Sequence, residues 1–112
     1  MSRATQAYQA SAAHRSLRAQ EADIFRRAIG ALRAARDADP ITRVRALADN
    51  RRVWITVVDL VRDPANMLPQ DLRAAIASVG LAVQREMDRD KPDLDFLISV
   101  NENMAAGLSG AA

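Results

Sequence analysis

A chain of 112 residues suffices for one domain with a modest core; with 49% hydrophobic residues but only 4% aromatic ones, that core must be built from Ala, Leu, Ile and Val. The absence of cysteine excludes disulfides, thiol chemistry and thiolate metal sites, and the single histidine, His14, leaves no histidine cluster for zinc or iron. Net charge is only +2, yet residues 1–52 hold eleven arginines against five acids (+6) and residues 53–112 five cations against nine acids (−4). That asymmetry describes either a molecule with two charged ends or two regions that attract one another.

No run approaches the ~18 apolar residues that span a bilayer, and no apolar signal segment opens the chain, which reads as cytoplasmic. Alanine-rich interiors suit close helix packing and suit sheets badly. Residues 1–15 offer little periodicity beyond Tyr8 and read as a marginal helix or a mobile arm. From Ser16 the helical period appears, with Ile24, Phe25, Ala28, Ile29, Leu32 and Ala35 on one stripe. Asp39-Pro40 is a helix start: Asp accepts a free backbone N–H, and Pro at the first helical position loses nothing. Ile41, Val44, Leu47, Ala48, Arg51, Trp54, Ile55, Val58 and Val61 mark one face of a second helix through Arg62. The β-branched run 53–58 lowers helix propensity, but the period is helical on both sides of it and no partner strand exists.

Asp63-Pro64 stops that helix and Pro69 opens a third, whose stripe is Leu72, Ile76, Val79, Val83 and Met87, ending near Arg89. Gly80 inside it costs about 1 kcal/mol relative to Ala and permits close approach of a neighbouring helix. After the break at Asp90-Lys91-Pro92-Asp93, a fourth helix carries Leu94, Leu97, Ile98, Asn101, Met104 and Leu108, and the tail Ser109–Ala112 should fray. Four stripes with short loops predict an all-α fold, a small helical bundle preceded by a short N-terminal arm or helix, as one domain over residues 1–112.

Enzyme readings fail. The four glycines are isolated, so no phosphate loop exists; a catalytic triad needs a base held beside the nucleophile, and His14 sits in the least ordered segment. Asp88, Asp90, Asp93 and Asp95 lack the glycine and closing glutamate of a calcium loop, and they read as capping and solvating a helix junction. Arg43, Arg45, Arg51 and Arg52 beside Trp54 supply charge and a stacking surface for nucleic acid, yet Trp54 falls on the apolar face and the net charge is near zero. Glu21, Arg51 and Asn101 lie on or beside the stripes of three helices, either as a buried polar cluster that sets helix register or as the lining of a groove. Tyr8, Leu17, Met104 and Leu108 lie at the two ends of the chain, where a small bundle leaves apolar area uncovered.

Asn50-Arg51-Arg52-Val53-Trp54 is followed fourteen residues later by Leu68-Pro69-Gln70-Asp71-Leu72-Arg73-Ala74, then by Leu97-Ile98-Ser99-Val100-Asn101 and Met104-Ala105-Ala106-Gly107-Leu108. With Tyr8, Glu21 and Phe25 toward the N-terminus, this ordered set resembles the FlaF family, small flagellar biosynthesis regulators of alphaproteobacteria. The resemblance implies a protein associated with flagellin that aids its synthesis and secretion in the manner of an export chaperone, alongside a second regulator, FlbT, that opposes flagellin mRNA translation. The physical reading is compatible with this: a small helical bundle with a partly uncovered apolar groove would mask an amphipathic helix of flagellin, with no cofactor and no turnover. Tyr8, Leu17, Arg51, Arg52, Met104 and Leu108 are then candidates for meeting the partner. Glu21, Phe25, Asn50, Trp54, Leu72, Arg73 and Asn101 are candidates for the polar cluster and core. The alternatives are direct contact with flagellin mRNA through the arginine-rich half, or an adaptor acting only through a FlbT-like partner.

Overall fold

A computed structural model describes the backbone of residues 2–108 and the side chains of residues 2–5 and 21–108. The side chains of Tyr8, His14 and Leu17, and the tail Ser109–Ala112 expected to fray, lie outside the described residues. Four helices make an all-α bundle with no strand among the described residues: α1 (Arg3–Ala35), α2 (Pro40–Arg62), α3 (Gln70–Met87) and α4 (Leu94–Leu108). The β-branched run 53–58 is helical throughout, because Trp54 and Val58 belong to the same buried stripe as Val61.

Residues 3–15 form no separate arm. They are the opening turns of a single 33-residue α1, begun by the Ser2 hydroxyl, which accepts the Thr5 backbone N–H at 3.1 Å. Nothing between Ala4 and Ala13 breaks a helix, and alanine there favours continuing one. Asp39 caps α2 through the Thr42 N–H, with Pro40 in the first turn, and Asp93 caps α4 through the Phe96 N–H. α3 ends at Met87, short of Arg89, where the Asp88 N–H returns to Gln84 O and Glu86 O.

Helix α1 packs antiparallel against both α2 and α4, α3 packs against α2, and α3 and α4 touch only sparingly. The core is Phe25, Ile29, Leu32, Ala35, Ala46, Trp54, Val83, Met87, Leu94, Leu97, Ile98 and Ala105, so the stripes of α1 and α4 are largely as expected. The first half of α2 is not. Ile41 and Val44 are 63% and 64% exposed, and the inward positions are Ala46 and Asn50. An asparagine facing inward rotated the apparent apolar face, because a reading from large aliphatic groups counts it as surface. Leu72, 44% exposed, and Val79 likewise leave the expected core, since α3 has a full neighbour on one side only.

The bundle is long: its principal extent is 56 Å and its radius of gyration is 16.1 Å, against about 13 Å for a compact domain of this size. Helices α1 and α2 both run from the turn at residues 36–39, and α1 exceeds α2 by ten residues, roughly 15 Å.

Candidate functional site

A polar thread runs through the apolar interior. Asn50 and Asn101 are completely buried. The Trp54 indole N–H donates to Asn101 Oδ1 at 2.8 Å, Asn101 Nδ2 donates to Asn50 Oδ1 at 2.6 Å, and Asn50 Nδ2 donates to Met87 Sδ at 3.3 Å. Buried amides are tolerated only with partners, so the thread holds α2, α3 and α4 in one register. Phe25 meets Trp54 edge-on, with centroids 5.6 Å apart and planes at 71°, which brings α1 into the same assembly. Gly80 does permit close approach: a Cβ there would overlap the Val58 Cγ2 methyl and lie 3.4 Å from Trp54 Cε3.

The expected cluster of Glu21, Arg51 and Asn101 is therefore corrected in two of its members. Asn50, one residue before Arg51, takes the inward position, and the roughly 100° step of a helix swings Arg51 to the surface. There it pairs with Asp88 at 2.7 Å. Glu21 is exposed on α1 and has no partner among the described residues. Arg73 is half-buried; its Nη1 donates to Asp63 O at 3.3 Å, tying α3 to the end of α2, while its Nε has no partner.

Because α3 and α4 diverge from their shared turn, the opposite end of the bundle is left open. A groove of about 360 Å³ lies there, floored by Phe25 and Val61 and walled by Ile24 of α1 and Val53, Val57 and Leu60 of α2. It continues into a second hollow of about 590 Å³, where Leu72 and Ile76 of α3 face Met104 and Leu108 of α4. The 63–69 loop forms part of the rim and is pinned: Asn66 Nδ2 donates to Leu60 O at 2.9 Å, and Asn66 Oδ1 accepts the Leu68 N–H at 2.9 Å. Of the expected partner-binding residues, the groove brings together Arg52, Met104 and Leu108 and excludes Arg51. It adds Glu21, from the expected polar cluster, Leu68 and Ile76, expected only in the family motif and the α3 stripe, and Leu60 and Asn66, which sequence reasoning passed over. Asn66 had a signal in Asp63-Pro64-Ala65-Asn66, a run of turn-forming residues.

Opposite charges of the two chain halves meet. Arg33 reaches Glu102 at 2.6 Å, Arg36 pairs with Asp95 and Arg51 with Asp88, so the asymmetry of the sequence is partly neutralised between helices. Of the acidic run, Asp93 caps α4 while Asp88 and Asp95 serve these pairs. Among the described residues no group of acids or histidines could hold a metal ion.

The family model "Flagellar protein FlaF" matches residues 4–108, nearly the whole chain. The chain belongs to the FlaF family. No curated protein and no solved structure matches it. As a FlaF protein it is related to the flagellum, and the motifs through which it resembles that family divide between two tasks in space. Asn50, Trp54 and Asn101 build the interior thread, whereas Arg52, Leu68, Leu72, Met104 and Leu108 line the groove. No described helix of this FlaF protein is long and apolar enough to cross a membrane.

Proposed function

We propose that this FlaF protein binds flagellin in the cytoplasm and serves its synthesis and secretion as an export chaperone, masking an amphipathic helix of the subunit in the groove. The observation that carries the reading is the groove itself, an aliphatic trough at the open end of the bundle with Met104 and Leu108 half-buried on its rim. Export subunits must be kept from polymerising, and a helix laid into an apolar groove hides the surface that would do so. Methionine adapts its shape to the guest. The action is stoichiometric, without catalysis or cofactor. Trp54 is fully buried with its N–H engaged, so it offers no face to a base, which weakens the alternative of direct mRNA contact.

Calorimetric titration of the purified protein with monomeric flagellin tests this. Saturable binding with a negative heat-capacity change is expected, weakened by Met104→Glu and Leu108→Glu with helix content unchanged. Leu60→Glu, at a half-exposed position of the wall, should weaken it too and serves as a second variant with little risk to the fold. No binding at about 50 μM, where even a weak specific complex would register, with both proteins folded, would overturn the reading and leave an adaptor acting through a FlbT-like partner ahead.

A further inference from the structure

The groove carries two charges of opposite sign on different walls, and neither is paired with another helix among the described residues. Arg52, on α2, lines the trough with its side chain 81% exposed, and it pairs with Asp49 of its own helix at 3.8 Å, at the outer limit of an ion pair. Glu21, on α1, lines both hollows and has no partner among the described residues. Elsewhere the same two halves of the chain spend their charges on one another, as in Arg33–Glu102 and Arg51–Asp88. The lining beside Arg52 and Glu21 is mainly aliphatic, supplied by Ile24, Val53 and Val57 with Thr56 among them.

From this we infer that Arg52 and Glu21 set the direction in which a partner helix docks; the inference rests on the groove being a helix-binding site, as proposed for flagellin. A helix lying apolar face down presents one flank to the α2 wall and the other to the α1 wall. Turning it end for end exchanges the flanks. A guest with an acidic flank and a basic flank therefore fits one way, acid to Arg52 and base to Glu21, and meets like charge the other way. The occupant is an amphipathic helix with an aliphatic stripe, carboxylates along one edge and cations along the opposite edge. Aliphatic contact supplies affinity, and the rim charges supply orientation, which is the usual division between burial and electrostatic complementarity.

Two synthetic helical peptides with the same aliphatic stripe test it without recourse to flagellin. One carries Glu on one flank and Lys on the other; in the second the two flanks are exchanged. A spin label at one peptide terminus, read by paramagnetic broadening of the protein's backbone resonances, reports direction. The two peptides should dock in opposite directions. In the Arg52→Glu, Glu21→Arg double variant each peptide should reverse, while either single variant should weaken binding by about two- to fivefold at low salt. At roughly 1 M salt, where screening acts within about 3 Å, that loss should shrink. Peptides that bind in the same direction, in both directions equally, or not at all overturn the inference, as does a double variant that changes nothing. Oriented peptide binding with no flagellin binding would keep this inference and remove flagellin as the guest. Flagellin binding with unoriented peptides would do the reverse.

Discussion

Asn101 holds two hydrogen bonds whose other ends, the Trp54 indole N–H and the Asn50 amide oxygen, are themselves fully buried. Asn101→Ala strands both groups and should cost about 2–6 kcal/mol in urea unfolding, since each unsatisfied buried polar group costs about 1–3 kcal/mol. Trp54→Ala removes the largest core side chain together with its edge contact to Phe25, an expected loss of about 3–5 kcal/mol. A Trp54→Ala variant that melts like the parent would mean that the indole is not part of the core. Arg51→Ala, by contrast, breaks only a half-exposed pair with Asp88 and should change stability by about 0–1 kcal/mol. The glycines give a sharper comparison. A methyl group added at Gly30 would meet nothing within 4 Å, so Gly30→Ala should stabilise α1 by about 0.5–1 kcal/mol. Gly80→Ala forces Val58 against Trp54 and should destabilise by about 1–3 kcal/mol. Equal signs in the two melting curves would contradict the close approach of α2 and α3.

At the scale of helices, capping and ion pairing decide where elements begin and how they meet. Hydrogen bonds from Thr42, its hydroxyl first and its backbone N–H second, hold the Asp39 carboxyl below its ordinary 3.8. A depressed folded-state value means that the cap's charged form stabilises the protein above the unfolded value, and that this contribution is lost as pH falls through the folded value. Asp39→Asn keeps a capping side chain without the charge. The stability difference between parent and variant should therefore be present at neutral pH and vanish below the ordinary carboxylate range. A difference that persists unchanged in acid would assign the cap's effect to hydrogen bonding alone. The pairs Arg33–Glu102, Arg36–Asp95 and Arg51–Asp88 link the basic half of the chain to its acidic half, but all are substantially exposed. Surface pairs of this kind contribute little each. They select which helices face one another more than they hold them together.

The molecule as a whole is a bundle closed at one end and open at the other. At the closed end short turns join α1 to α2 and α3 to α4; at the open end α1 runs on past α2, while α3 and α4 stand apart with the groove between them. A domain of this size holds only about 5–15 kcal/mol of net stability. Asn50, Trp54 and Asn101, set deep in the interior, account for enough of it that substitutions there should unfold the protein before they reveal anything about binding. The groove is the opposite case. Half-exposed Ile24, Leu60 and Leu72 contribute little to the core, so charged substitutions there should leave the melting temperature nearly unchanged, while under the function proposed above flagellin affinity falls. A parallel loss of stability and affinity at Leu60→Glu would place that side chain in the core and count against the groove.

Helix number, the proline and aspartate stops, and the inward stripes of α1 and α4 were legible in the sequence, because periodicity and capping are local and each signal lies within a few residues of its effect. The family was legible in the order and spacing of short motifs. Three features were not. Arg51 and Asn50 are neighbours in the chain, and only the rotation of α2 against α3 and α4 decided that the asparagine goes inside and the arginine outside. Ile41 and Val44 looked as apolar as Val58 and Val61, but no helix covers them. The groove follows from α3 and α4 diverging, a relation between elements that no single stripe encodes. The sequence by itself determined which segments are helices and which family they compose; the packing of those helices decided which apolar residues became core and which were left exposed along the groove, because burial depends on what lies opposite each side chain.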